Sequence, residues 1–424
     1  MGIDLSSIRP FEICSIRPPT ENLSLTFRLT RNCYWNKCKF CPVYKFGAHF
    51  SKRSVEEVKE DVRRAKRIDS LLIEEGIDYS GYRSSTPADI FELIKKIKEA
   101  GGELGETEEI QKDLDPRLVW FLSWFKNKPN IKDNFNHILS WRAGGGQTCF
   151  MGDADFLILK PDYLAEAIDE IRINFPTIRR FTVYGRTKTA ASVRTLKELK
   201  EYRKAGLDRV HFGLESGSNA VLKFVNKGVT GDEHVEGGIK VKEAGLSCSV
   251  YVMPGLGGVK WTKEHAYDTA DVLTKISPDF IRLRTLQVFP QTSLEKALKN
   301  GDFMEASEEQ VVEEIRTMIE EIDTKTNLIS DSATNLIDVN GKLPDNREAM
   351  LEKIDQYLTL SAREKLLFSL ESRINSFAGQ YGGLTRDIYQ KITPFIKDGR
   401  IDCSDAPDAE ITDIINLIRS KLMP

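Results

Sequence analysis

The sequence predicts an α/β fold, a partial, TIM-like (β/α)6 barrel with a helical insertion after the first βα unit and a helical C-terminal region. From about residue 147, apolar strand-like segments recur roughly every 29 to 38 residues, and an amphipathic helical segment fills each gap. These segments begin near Thr148, Arg180, Arg209, Ser247 and Asp279. One further strand precedes a cysteine-rich loop. The resulting six βα units predict a parallel sheet whose carboxyl-terminal strand ends form one working face.

The first strand is predicted within residues 23–30, where apolar and polar residues alternate. After the cysteine loop, Ser54 and Glu57 form a capping box at a helix start. A charged, mostly helical insertion is expected over residues 70–145, before the regular βα rhythm begins.

Beyond residue 300 the pattern becomes helical. Ser307 with Gln310 and Ser361 with Glu364 form two further capping boxes. We therefore predict a barrel domain over residues 1–300 and a helical region over 301–424.

Composition and charge exclude several classes of protein. With 40% hydrophobic and 29% charged residues among 424, the chain can bury a large core and is not expected to be disordered. No run approaches the roughly 18 apolar residues of a membrane span. A net charge of −3 argues against a nucleic-acid partner. The seven cysteines are odd in number and three crowd into one short loop, so we expect reduced thiols and a cytoplasmic location.

The spacing of Cys33, Cys38 and Cys41 is C-x4-C-x2-C. Three thiolates on one loop can hold three corners of an iron–sulfur cubane and leave one iron without a protein ligand. Zinc is an alternative, with His49 completing a Cys3His site, and three buried thiols that bind nothing are another. Structural zinc loops usually sit in small modules that lack a large core, and this loop follows a strand of a large barrel, so the cluster is favoured.

The cysteine loop after the first strand, with Phe40 before the last cysteine, resembles that of the radical S-adenosylmethionine (radical SAM) superfamily. The resemblance covers roughly residues 23–295, although the usual cysteine spacing there is C-x3-C-x2-C. The segments GDAD at 152–155, GLESG at 213–217 and PQT at 290–292 are similar to strand-end motifs of that superfamily. The last two resemble the oxygen-independent coproporphyrinogen oxidase and methylthiotransferase branches.

The resemblance implies a [4Fe-4S] cluster that reductively cleaves SAM to a 5′-deoxyadenosyl radical, which abstracts hydrogen from a substrate. It implies cluster ligation by the three loop cysteines and SAM contacts from Phe40, Gly152, Asp153, Asp155, Arg186, Glu215, Ser216 and Gly255. Competing structural roles are helix capping for the two aspartates, an ion pair with Arg186 or Arg209 for Glu215, and a surface ion pair for Arg186. The catalytic residues acting on the substrate are not identified by the sequence.

The resemblance further implies a low-potential electron donor of the flavodoxin or ferredoxin type and an oxygen-labile cluster in an anaerobic or protected host. Arg282 and Arg284 would suit a small anionic substrate, although alternation alone does not say which residues face the barrel interior. Alternative functions are a tRNA-modifying methylthiotransferase-like enzyme, a porphyrin-directed enzyme, and a non-catalytic zinc or iron–sulfur protein. Cys149 and Cys248 are expected to be inert buried thiols, and His211 a core residue.

Overall fold

One mostly parallel sheet forms the centre of the computed structural model, which describes residues 2–45, 49–78, 87–107, 109–110, 113–125, 127–397 and 400–423. Its strands are β1 Leu25–Arg28, β4 Thr148–Gly152, β5 Arg180–Gly185, β6 Arg209–Glu215, β7 Ser247–Val252, β8 Phe280–Leu283, β9 Thr326–Ile329 and β10 Gly341–Leu343. They pair in the order β1-β4-β5-β6-β7-β8-β9-β10, and only β10 runs antiparallel to its neighbour. The sheet is therefore an open, partial barrel, which confirms the predicted fold class.

The predicted strand positions agree closely with the observed ones. Four of the strands begin at the predicted residues Thr148, Arg180, Arg209 and Ser247, and the sixth begins one residue after Asp279. A short antiparallel ribbon, β2 Thr30–Arg31 and β3 Ser51–Lys52, closes the base of the cysteine loop.

Helices pack on the outer face of the sheet because the outward strand residues and one face of each helix are apolar. These helices are α1 Val55–Glu74, α5 Pro161–Asn174, α6 Thr187–Ser192, α7 Leu196–Ala205, α8 Asn219–Phe224, α9 Gly231–Glu243, α10 Thr262–Ile276, α11 Ser293–Lys299 and α12 Glu308–Glu321. Together with the strands, most of them enclose one continuous hydrophobic core. The predicted capping boxes at Ser54 and Ser307 are both present, with reciprocal bonds to Glu57 and Gln310.

The described part of the predicted insertion forms helices α2 Pro87–Glu99, α3 Pro116–Ser123 and α4 Ile131–Ala143. α4 packs against α1 and β1 and so belongs to the main core. α3 instead builds a small separate core, in which Phe121 and Phe125 pack against Phe289. The insertion thereby covers the β1 side of the barrel mouth.

The C-terminal part of the chain is mostly helical but also supplies β9 and β10, which the sequence analysis did not predict. Its helices after α12 are α13 Arg347–Leu358, α14 Ala362–Tyr381, α15 Arg386–Ile392 and α16 Asp408–Arg419, and a ribbon forms from β11 Ile396–Lys397 and β12 Arg400–Ile401. The capping box at Ser361 is present at the start of α14. Among the described residues, no helix has both the length and the apolar character needed to cross a membrane.

The barrel interior is aromatic and polar. Phe150, Tyr184, His211 and Tyr251 lie on consecutive strands β4 to β7 with ring centroids 5.1, 6.2 and 6.5 Å apart. Their neighbours in sequence, including Cys149, face outward into the apolar core, which is the alternation expected of a pleated strand. Both Cys149 and Cys248 are fully buried, and burial raises the pKa of each thiol.

Candidate functional site

The carboxyl-terminal ends of the barrel strands surround a cavity of about 200 Å³, which we call the cysteine cavity. It is lined by residues of the cysteine loop and by strand-end residues that include Cys33, Trp35, Cys38, Phe40, Cys41, Ala154, Tyr184, Arg186, Gly213, Glu215, Lys227, Tyr251, Met253 and Arg284. All three cysteines of the motif therefore share one cavity, at the working face predicted for a parallel barrel.

Backbone hydrogen bonds hold the cysteine loop against the turn that follows α8. The Lys39 N–H donates to the Val225 carbonyl at 2.9 Å, and the Trp35 indole N–H donates to the Asn226 carbonyl at 2.9 Å. Gly228 lies under the Trp35 ring, where an added Cβ would come within 2.2 Å of a ring carbon. The loop is thus fixed by its neighbours even though it has no helix or strand of its own.

The surroundings of Cys38 and Cys41 disfavour their thiolate forms. Burial and the neighbouring Cys38 raise the pKa of Cys41 to about 12. Burial also raises the pKa of Cys38, and the positive charges of Lys227 and Arg186 oppose that rise. Bound metal would stabilise these thiolates directly, because coordination deprotonates a thiol.

The donor set in the cysteine cavity consists of the three loop thiols. Within the part of the chain that the structure describes, no group of three or more His, Cys, Asp or Glu side chains converges on one metal position. His49, the candidate fourth zinc ligand, is exposed. Three separated thiols around a cavity suit a cubane whose irons each take one thiolate.

Glu215 and Lys227 form an ion pair in the cavity wall, with 2.9 Å between Nζ and Oε1. Their side chains are only 13% and 10% exposed, and Glu215 has a left-handed φ of 67° beside a bulge in β6. Burial alone would lower the pKa of Lys227, but the Glu215 carboxylate raises it, so the lysine stays charged. A Cβ on Gly213 would lie 2.4 Å from Glu215 Oε1. The glycine therefore leaves room for this pair.

Arg186 lies between the cysteine loop and the Lys227 turn. Its guanidinium group lies 5.4 Å from the centroid of the Tyr34 ring and 4.9 Å from that of Trp35. It donates to the Tyr34 hydroxyl at 3.1 Å and to the Lys227 carbonyl. Its expected surface ion pair is not formed among the described residues, so its charge remains available to the cavity.

The two predicted aspartates are occupied by protein contacts and do not line the cavity. Asp153 forms a buried ion pair with Arg28, with 3.0 Å between Oδ2 and Nε, and accepts the Asn32 N–H at 3.1 Å. Asp155 caps the short helix at 156–158 and accepts the Arg186 N–H at 3.0 Å. Burial raises the pKa of Asp155 to about 6.

The remaining predicted contacts lie outside the cysteine cavity. Gly152 packs against Cys14, whose sulfur would be 2.1 Å from an added Cβ. The Ser216 hydroxyl is buried and accepts the Ser218 N–H at 3.0 Å. The Gly255 N–H donates to Glu314 at 2.8 Å, and Gly255 lines a separate cavity of about 150 Å³ under α12.

Sequence reasoning missed Lys227 and Tyr251 as cavity residues. Lys227 follows a short helix and belongs to no motif, so only the fold reveals that it pairs with Glu215. Of the two arginines considered for an anionic substrate, Arg284 lines the cavity, whereas Arg282 is buried in an ion pair with Asp331 at 3.0 Å.

One segment of the chain matches a known protein family. The model of the Radical SAM superfamily matches residues 122–270, a segment that begins after the cysteine loop and contains β4 to β7. A tRNA uridine(34) acetyltransferase from Methanocaldococcus jannaschii is 28% identical over 123 residues, and one from Methanocaldococcus infernus is 29% identical over 125. Each match covers 28% of this chain and 22% of the relative, so the chain spans about a fifth of the length of these proteins.

Solved structures give more distant likenesses. The archaeal Methanocaldococcus infernus Elp3 with an N-terminal deletion is 18% identical, with a TM-score of 0.39 over 52% of this chain and 57% of that one. Coproporphyrinogen III oxidase from Escherichia coli is 13% identical, with a TM-score of 0.36 over 65% and 78% of the two chains. Residues 122–270 therefore match the Radical SAM superfamily, to which the sequence motifs also show a resemblance.

Proposed function

We propose that Cys33, Cys38 and Cys41 each bind one iron of the cluster and leave the fourth iron open for SAM. The observation that carries this proposal is that all three thiols line one cavity at the strand ends. The chemistry that the cluster and SAM supply when bound is reductive cleavage to a 5′-deoxyadenosyl radical, which abstracts hydrogen from the substrate. The protein's part is to bind and orient the cofactors and the substrate and to exclude competing reactions.

Three of the predicted SAM contacts line the cysteine cavity, and we propose that they bind SAM: Phe40, Arg186 and Glu215. The Arg186 guanidinium would bind the SAM carboxylate, because it has no carboxylate partner among the described residues. Glu215 would accept hydrogen bonds from the SAM amine or ribose beside its ion pair with Lys227. Asp153 and Asp155 would act indirectly, by holding Asn32 and Arg186 in place.

The reaction requires a reductant and a substrate. We propose a donor of the flavodoxin or ferredoxin type and a small-molecule substrate. All seven cysteines are free thiols, which agrees with a reducing, cytoplasmic location. An open iron site would make the enzyme oxygen-sensitive, so an anaerobic or protected host is part of the proposal.

Anaerobic reconstitution with iron and sulfide, followed by reduction in the presence of SAM, tests the proposal. We expect about four irons per chain and formation of 5′-deoxyadenosine. Cys38→Ala should lose most of the iron and all of the product, whereas the matched core variant Cys248→Ala should keep both. Full iron content and activity in Cys38→Ala would refute the ligand assignment, and no 5′-deoxyadenosine from reconstituted protein would refute the reaction.

A second candidate is an enzyme that acts on tRNA, which the sequence likeness to the two acetyltransferases favours. A net charge of −3 opposes it, because RNA binding relies on basic surfaces that neutralise phosphates. Filter binding of bulk tRNA to the reconstituted protein at two salt concentrations separates the candidates. Tight binding that weakens steeply with salt would support the tRNA function, and no binding at low salt would exclude it.

A further inference from the structure

A second and larger cavity, of about 510 Å³, adjoins the cysteine cavity. The two cavities share Ile16, Val43 and Arg284 in their walls. The larger one, which we call the side cavity, lies between the N-terminal segment, helices α3 and α4 and the C-terminal end of the chain. Its lining includes Ile13, Arg17, Phe121, Trp124, Phe125, Asp133, His137, Gln380 and Met423. Its volume is in the range of small-molecule sites, roughly 300–1,000 Å³.

Two guanidinium groups in this wall have no carboxylate partner among the described residues. The Nε atoms of both Arg17 and Arg284 are buried and donate no hydrogen bond to the described part of the protein. By contrast, Arg28 is paired with Asp153 and Arg373 is paired with Glu308, at 3.0 and 2.8 Å. Unpaired buried charge is costly, so it persists mainly where a ligand supplies the opposite charge.

The charges around these arginines leave the wall net positive. Burial and the charge of Arg17 lower the pKa of His137 well below its usual value, so the imidazole is neutral. The Thr26 N–H donates to His137 Nε2 at 2.8 Å, which fixes the proton of the neutral ring on Nδ1. Asp133 also lines the cavity, where its carboxylate accepts from the Asn130 side chain at 2.6 Å. Two guanidiniums thus face one carboxylate.

The rest of the wall is apolar and aromatic. Phe121 comes from α3, Trp124 and Phe125 follow directly after that helix, and Ile13 and Met423 come from the N-terminal and C-terminal segments. Such a surface binds an apolar or aromatic body, and the polar groups fix its orientation.

We propose that the side cavity binds the substrate as a small organic oxyanion, with its carboxylate or phosphate held by Arg17 and Arg284 and its apolar body against Phe121 and Trp124. This inference rests on the proposed function. Because Arg284 lines both cavities, an anion bound to it would hold the neighbouring carbon atoms of the substrate beside the cysteine cavity.

Isothermal titration with three aromatic probes tests the proposal: phenylacetate, phenyl phosphate and neutral 2-phenylethanol. The full chain is titrated before and after anaerobic reconstitution. We expect at least one anionic probe to bind ten-fold or more tightly than the alcohol, and the better one identifies the oxyanion. Arg17→Met and Arg284→Met should each weaken that probe by roughly ten- to hundred-fold, a typical loss for a charge-assisted bond, and leave the alcohol within about two-fold.

Arg284→Lys, which keeps the charge, should recover part of the affinity and guards against a folding defect. Arg347→Met is the matched control, because Arg347 also has a buried, unpartnered Nε but lines neither cavity. Equal binding of all three probes, or unchanged anion binding in both methionine variants, would overturn the proposal. Displacement of the bound probe by bulk tRNA would overturn the small-molecule assignment. Intact anion binding without 5′-deoxyadenosine formation would instead count against the proposed function alone.

Discussion

Replacing Asp153 by alanine removes one half of a buried ion pair that ties the end of β4 to Arg28 of β1. The Asp153 side chain is fully buried and the Arg28 side chain is 8% exposed, with 3.0 Å between Nε and Oδ2. The same carboxylate accepts the Asn32 N–H, next to Cys33. We therefore expect Asp153→Ala to lose both stability and the preorganised cysteine loop.

The magnitude follows from the geometry. Two unit charges 3.0 Å apart attract by about 5–6 kcal/mol at an effective dielectric constant near 20. The loss of solvation offsets part of this attraction in the intact pair, but the alanine variant leaves the Arg28 charge buried without compensation. Breaking a buried pair in this way typically costs about 3–5 kcal/mol.

Urea denaturation of the variants measures the loss of stability. Iron content after reconstitution shows whether the cysteine loop can still bind the cluster. The double variant Arg28→Met with Asp153→Leu should recover at least about 2 kcal/mol relative to Asp153→Ala, because no charge is left unpaired. Asp271→Ala removes an exposed ion pair with Lys275 and should cost less than about 1 kcal/mol. If Asp153→Ala keeps wild-type stability and iron content but loses SAM affinity, Asp153 contacts the cofactor directly and the ion-pair reasoning is wrong.

Three further perturbations test other parts of the site. In Gly213→Ala the new Cβ would lie 2.4 Å from Glu215 Oε1. SAM affinity, measured by equilibrium dialysis, should therefore fall at least ten-fold while iron content stays normal. Unchanged SAM affinity would contradict this expectation. In Gly228→Ala a Cβ would collide with the Trp35 ring at a φ of 70°, so iron content should fall by more than half, and a normal [4Fe-4S] absorbance would rule that out. Burial lowers the pKa of His234 to about 3. As pH falls, the unfolded chain therefore binds a proton at this histidine before the folded chain does. The free energy of unfolding should drop by up to about 5 kcal/mol between pH 6.5 and pH 3. Urea midpoints should depend less on pH in His234→Gln, and an identical dependence would refute this cause.

The predictable parts of the fold are those that local sequence patterns determine. Strands such as 180–185 and 247–252 are short apolar runs between turns, and their period alone predicts a parallel barrel. The three cysteines lie within nine residues, so any fold of that loop brings them close together. β9 was missed because it begins 46 residues after the start of β8 (326 − 280), outside the spacing of 29 to 38 residues that marks the other strands, and β10 has only three residues.

The parts that were not predictable depend on contacts between distant residues. Asp153 meets Arg28 across 125 positions, and nothing in either local sequence identifies the partner. Glu215 and Lys227 are separated by a turn and a helix, so their pairing follows from the tertiary fold. Alternation predicted that one set of strand residues faces the interior, but only the packed barrel shows that Tyr184 belongs to that set.

The pairing of charges inside the barrel separates its structural groups from its ligand-binding groups. Arg28 and Arg282 are each neutralised by a carboxylate and so serve mainly to hold the fold. Arg186 and Arg284 lack such a partner among the described residues, and both line the cysteine cavity. Since an unpaired guanidinium near a low-dielectric cavity raises the local affinity for anions, these two positions favour anionic ligands. In the functions proposed above, Arg186 would bind the SAM carboxylate and Arg284 would bind the substrate oxyanion, so each of the two ligands has its own cationic group.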